Sequence, residues 1–196
     1  MTSATRSGSP NRLRSKTSRD GTDGPHPSHD ARQPRVTGPF FASTREELSD
    51  RETLLSLSGL DFMRRVQDGR ISGPPIGALL NYRVEEVAQG RVVIRGTPEF
   101  GHLNVLGGVH GGWYGTLLDS AMACAVMTLL PKGSAQTTLE FKVNLVRALS
   151  EGTEVLCIGT SQHAGRSTGV ASGELRGADD GQLYASGSTT CLIMSS

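Results

Sequence analysis

Hydrophobic and polar positions divide the 196-residue chain into three regimes. Up to about residue 42 the chain is rich in Ser, Thr, Arg, Gly and Pro, with scarcely an apolar side chain before Val36. Such a segment cannot bury enough surface to offset its conformational entropy, so residues 1–42 are predicted to be a disordered tail. Residues 43–75 have the periodicity of a helical lead-in. Ser43 or Thr44 with Glu46 and Glu47 resembles a capping box. Leu54, Leu57, Phe62, Met63 and Val66 then form a roughly helical stripe that Gly69 ends. Pro74 and Pro75 mark a turn into the third regime, residues 76–196.

From residue 78 the apolar spacing shortens to that of strands. ALLNYRVEEVAQGRVVIRGTP reads as two strands joined at Gln89-Gly90. A helix is predicted from about Gly111 to Leu130, apolar nearly all round and stopped by Pro131 and Gly133. Four strands follow: TTLEFKVNLVR, TEVLCIGTSQH, STGVASGELRG and LYASGSTTCLIM. In the first, Leu139, Phe141, Val143 and Leu145 alternate with Thr138, Glu140, Lys142 and Asn144, which predicts burial of the Leu139 face. A helix apolar on every side has to be wrapped by sheet. The expected fold class is α+β, with a long central helix wrapped by a six-stranded antiparallel sheet.

Charge and cysteine usage narrow the function classes. A formal net charge of +1 supplies no general basic field for nucleic acid. Arg6, Arg12, Arg14, Lys16 and Arg19 all precede the first acid, Asp20, as in a transit peptide, but the amphipathic apolar face is missing and a solvated tail is the better reading. Cys124, Cys157 and Cys191 lie far apart in apolar stretches, as small buried residues of a reducing compartment do. The first forty residues hold no apolar signal core, and the run Leu117–Leu130 is too short to span a bilayer. A cytoplasmic protein with no membrane and no nucleic-acid partner is expected.

The candidate chemistry centres on the helix. Asp119 is the only charged side chain between Trp113 and Pro131, and burying an unpartnered carboxylate is expensive. His110-Gly111-Gly112 falls at the helix start, where backbone N–H groups lack intrahelical partners and the dipole favours negative charge. Glycine there lets a ligand approach the backbone. Asp119 lies eight residues beyond Gly111, about 12 Å along a helix axis, too far for both to act on one carbonyl from one chain. No metal-ligand spacing and no G-x-S-x-G elbow is present.

N-x-L-G-x-V-H-G-G-x-x-x-x-L-L-D-S-A, running from Asn104 to Ala121, resembles the signature of the PaaI-like (phenylacetic acid degradation) acyl-CoA thioesterases of the hotdog fold. TTLEFKVNLVRAL, HAGRS and DGQLYASGSTTCLI follow in the order and spacing of that family, so the resemblance spans roughly residues 76–194. It implies hydrolysis of an aryl- or medium-chain acyl-CoA, with Asp119 as general base or nucleophile and the Gly111 N–H polarising the carbonyl. His110 is implied in a structural or carbonyl-positioning role, and Asn104 in orienting water or thioester. Thr138 would hold the nucleophilic water, with Thr137 an adjacent candidate. Arg147 and Arg166, with His163 nearby, would meet the phosphates of coenzyme A. Coenzyme A is part of the substrate, so no separate cofactor is implied. The resemblance also implies a homodimer with shared sites, and a homotetramer as a dimer of dimers.

One departure is Ala123, where a related aryl-CoA branch carries a threonine. Trp113, Tyr114 and Met122 are candidate acyl-pocket residues, and His102 is expected to line the entrance. The competing expectations are a hotdog enoyl-CoA hydratase or dehydratase and a non-catalytic acyl-CoA-binding module.

Overall fold

Asp50 and Ser58 accept hydrogen bonds from the backbone N–H groups of Thr53 and Asp61, at 2.7 and 3.1 Å. These caps start two short helices, α1 (Arg51–Ser56) and α2 (Gly59–Gln67). In this computed structural model, which describes residues 40–195, the single stripe read from the sequence is therefore broken at Leu57-Ser58. No helix starts at Ser43 or Thr44. The Glu47 carboxylate does reach back to the Ser43 N–H at 2.7 Å, but it closes only an exposed turn. Residues 43–50 bury nothing that would offset a helix nucleus.

Most of the predicted tail lies outside the described residues. Phe40 to Ala42, assigned to it by composition, are tied down: Ala42 N–H donates to the Gly73 carbonyl at 3.0 Å, and Gly73 N–H to that of Phe40 at 2.7 Å. Pro74-Pro75 opens a third short helix, α3 (Pro75–Leu79), with proline in its first turn. The predicted strand from residue 78 accordingly begins only at Tyr82.

Six strands follow: β1 (Tyr82–Ala88), β2 (Arg91–Gly96), β3 (Ser134–Leu145), β4 (Val155–Ala164), β5 (Thr168–Gly177) and β6 (Leu183–Ser195). They form one antiparallel sheet in the order β1-β2-β4-β5-β6-β3. Between β2 and β3 runs the central helix α4 (Gly111–Met127). It ends three residues short of the predicted Leu130. There the Thr128 hydroxyl donates to the Ala125 carbonyl and accepts from the Gly90 N–H, both at 2.7 Å.

Leu117, Leu118, Ala121, Met122, Ala125 and Val126 of α4 are completely buried. The helix lies on a rung of bare backbone, because Gly159, Gly173 and Gly187 pair with one another across β4, β5 and β6. A Cβ on Gly159 would come within 2.1 Å of the Ala121 carbonyl oxygen, and one on Gly173 within 2.8 Å of Met122 Cγ. Three adjacent glycines thus let α4 settle closer to the sheet than any side-chain layer would.

β3 holds the main departure from the sequence pattern. Its register with β6 shifts between Thr138 and Glu140, leaving Leu139 as a bulge. The extra residue reverses the alternation, so that Thr138 before it and Phe141 and Leu145 after it all meet α4. The predicted burial of the Leu139 face does not hold within one chain: Leu139 is 58% exposed, Phe141 46% and Leu145 55%. β3 lies at the sheet edge, with nothing beyond it among the described residues.

Candidate functional site

The first turn of α4 leaves one donor free. His110 is its N-cap, and the imidazole Nδ1 accepts from the Gly112 N–H at 2.9 Å. An acceptor at Nδ1 places the proton of the neutral ring on Nε2. The Trp113 N–H donates to the His110 carbonyl at 2.9 Å. The Gly111 N–H has no acceptor among the described residues, and it points from a helix N-terminus, where the peptide dipoles favour an oxygen bearing negative charge.

Two turns further on, the Thr138 hydroxyl donates to Asp119 Oδ1 at 2.9 Å. Thr137 is exposed and does not take part. The β3 bulge is what turns Thr138 toward the helix. Asp119 is partly buried and therefore sits in an apolar helix with one hydroxyl as its protein donor. Next to it the Tyr82 and Ser120 hydroxyls lie 3.1 Å apart. The Cys124 thiol is pushed up to about 12 by burial and, secondarily, by the Asp119 charge. It stays protonated near neutral pH and cannot serve as a thiolate nucleophile.

α4 and the edge strand face each other along a seam of four steps, one helical turn apart. A Cβ on Gly111 would meet Leu145 Cδ1 at 3.1 Å, and one on Gly115 would meet Phe141 Cε2 at 3.6 Å. Asp119 meets Thr138 at the third step. At the fourth, Gln136 Nε2 donates to the Ala123 carbonyl at 3.2 Å, while Gln136 Oε1 is buried with no partner. Sequence reading singled out neither Phe141 nor Gln136, because simple alternation places Thr138 and Phe141 on opposite faces.

The other expected residues are distributed more widely. Asn104 Oδ1 accepts from the N–H groups of Leu106 and Gly108, at 2.9 and 3.3 Å, and so builds the turn ahead of His110. Among the described residues it has no hydrogen bond to Asp119 or His110. Arg147 is exposed, donating from Nη2 to Gln182 Oε1 at 3.1 Å, close to the Gly111 end of the seam. His163 and Arg166 lie in the exposed β4–β5 hairpin, whose residue Gly169 shares a sheet row with Cys191 and Thr138. Six residue steps of β6, from Ala185 to Cys191, separate the Leu145 and Thr138 rows, about 20 Å along a strand. One chain therefore keeps the Gly111–Arg147 group apart from the group formed by Asp119, Thr138 and the hairpin.

Trp113, Tyr114 and Met122 do not line a pocket within the chain. They are 2%, 3% and 0% exposed. Trp113 Nε1 donates to the Leu80 carbonyl at 2.9 Å, and the Tyr114 hydroxyl accepts from the Leu149 N–H at 2.7 Å. His102 is likewise not at an entrance. It is 8% exposed, accepts from the Glu99 N–H at 2.8 Å and lies 2.9 Å from the Leu79 carbonyl.

A long helix wrapped by one six-stranded antiparallel sheet is the hotdog fold. Residues 106–184 match the model of the thioesterase superfamily. The fold is similar to a thioesterase family protein from Silicibacter pomeroyi, at 26% identity over 70% of this chain and 99% of that one, with a TM-score of 0.61. It is also similar to a variant of the phenylacetic acid degradation protein PaaI from Thermus thermophilus (28% identity, 60% and 97% of the two chains, TM-score 0.55). A third similar structure is a "hypothetical thioesterase" from Streptococcus pneumoniae with coenzyme A (26% identity, 59% and 87%, TM-score 0.54). No curated protein matches the chain. Over residues 106–184 the chain is thus similar to the thioesterase superfamily, and it shares the fold of PaaI-like hotdog thioesterases.

Proposed function

We propose that the protein hydrolyses acyl-CoA thioesters in a site shared by two copies of the chain. The observation that carries this reading is the contact between Asp119 of the apolar helix α4 and Thr138 of β3, 2.9 Å apart. The thioester carbonyl oxygen accepts from the free Gly111 N–H, which stabilises the negative charge that develops on it. Water adds to the carbonyl carbon while Asp119 takes its proton. The C–S bond then breaks and that proton passes to the departing thiolate. The same geometry allows the carboxylate itself to add, with water cleaving the resulting anhydride. Thr138 holds the attacking water or fixes the carboxylate that receives it. His110 acts through its cap on Gly112, and Asn104 by shaping the turn that leads to it.

Gly111 and Asp119 of one chain are about 12 Å apart along the helix, so each acid works on a carbonyl held by Gly111 of the partner subunit. Two antiparallel α4 helices make two equivalent sites, and the exposed apolar edge at β3 supports this homodimer. The same arrangement carries Arg147 of the partner subunit toward the hairpin with His163 and Arg166. The two basic groups then flank one site, where they meet the phosphates of coenzyme A. A homotetramer would pair two such dimers. The coenzyme A in the Streptococcus pneumoniae structure supports this substrate class. Asp119→Asn, nearly isosteric, is expected to fold and bind coenzyme A but to lose hydrolysis by about two orders of magnitude or more. Retention of more than about a tenth of the wild-type kcat would reject the role.

A further inference from the structure

Gly115 is a glycine that nothing within the chain demands. It lies in the middle of α4, where alanine would favour the helix. Its φ is not positive, and a Cβ there would meet only one atom, Phe141 Cε2, at an ordinary 3.6 Å. The glycines against the sheet have a packing reason, since a Cβ on Gly159 or Gly173 would strike the helix at 2.1 or 2.8 Å. Gly115 has none. Its position is specific: it occupies the seam step between the Gly111 donor and Asp119, opposite a phenylalanine ring that is 46% exposed.

We propose that Phe141 and Gly115 together form the acyl-selecting wall of the site, the ring setting how long or bulky an acyl group fits beside the attacked carbonyl. This rests on the thioesterase reading above. Gly115 lies one helical turn from Gly111 and one from Asp119 of its own chain, so in the shared site this step flanks each attacked carbonyl. The step offers an aromatic face, the half-exposed Phe141 ring, packed over the buried backbone of Gly115. That surface suits an acyl chain and not the amide-rich pantetheine arm, which the arginines at the seam ends draw outward. Because the ring is nearly half exposed among the described residues, it can shift to admit a ligand without opening the core.

The test compares kcat/KM for butanoyl-, octanoyl-, dodecanoyl- and phenylacetyl-CoA in wild type, Phe141→Ala, Phe141→Trp and Gly115→Ala, with light scattering to show that assembly is retained. Phe141→Ala is expected to raise the dodecanoyl-to-butanoyl ratio at least about tenfold, and Phe141→Trp to lower it comparably. Gly115→Ala raises the melting temperature yet lowers that ratio, a combination that a purely structural role would not give. A common factor for all substrates, or a ratio that moves less than about threefold in every variant, overturns the proposal. Should a Phe141 variant fail to assemble, Gly115→Ala, whose added methyl has room, decides alone. If wild type hydrolyses none of the four, the thioesterase reading falls. Calorimetric binding of the same four compounds then tests the wall: chain-length dependence that follows residue 141 upholds it, and its absence rejects it.

Discussion

Proline at residue 111 would isolate the backbone donor from everything else at the helix start. Proline is favoured in the first helical position, and His110, at φ −65° and ψ 137°, already has the backbone that precedes one. Gly111→Pro should therefore fold with α4 intact while lacking the N–H proposed to polarise the carbonyl. A loss of about 100- to 1,000-fold in kcat is expected. Gly111→Ala, which adds the same crowding against Leu145 but keeps the N–H, should lose far less. Equal losses in the two variants would assign the effect to Leu145 and not to the donor. Thr138→Val removes the only donor to Asp119 Oδ1 among the described residues at nearly constant shape. A fall of about tenfold or more in kcat is expected, with little change in melting temperature. If Thr137→Val has the larger effect, the assignment of the hydroxyl is wrong. At this scale the sequence was informative about residue type and less about partnership. Asp119 stood out because a charge in an apolar helix needs a reason. The choice between Thr137 and Thr138 depended on a bulge that alternation cannot reveal. Trp113 and Tyr114 looked like pocket residues because their polar tips suggest a surface, yet both tips are satisfied by buried backbone.

Elements were legible where a single period persisted. The long helix and six strands follow from spacing and turn residues, and most boundaries differ from the expected ones by only a few positions. The lead-in was harder, since the caps at Asp50 and Ser58 compete with a stripe that looks continuous, and the real helices are only six and nine residues long. The glycine rung was invisible because cross-strand pairing of Gly159, Gly173 and Gly187 is a tertiary fact. It carries a stability prediction. Gly159→Ala drives a methyl into the Ala121 carbonyl and should destabilise by about 1–3 kcal/mol or more, read as a lower denaturation midpoint. Gly152→Ala differs in kind, having open space but a φ of 79°, so its cost would come from backbone strain alone. An unchanged midpoint for Gly159→Ala would mean that helix and sheet are not in the close contact described.

For the whole molecule, the separation of Gly111 from Asp119 makes assembly part of catalysis in the proposed shared site. Mixed dimers of an Asp119→Asn chain and a Gly111→Pro chain contain one site with both groups intact, so up to about half the wild-type activity per dimer should return. Verified subunit exchange without recovery, or an active monomer, would reject the shared site. The open edge at β3 has a consequence for the chain before it finds a copy. Leu139, Phe141 and Leu145 stand exposed beside backbone groups that no strand pairs, which is the surface that recruits like surfaces indiscriminately. Newly made or highly diluted protein thus faces competition between correct pairing and aggregation. Protein yield should then depend on expression rate and concentration, and a charge placed at Leu139 would improve solubility while abolishing the very pairing on which the proposed shared site depends.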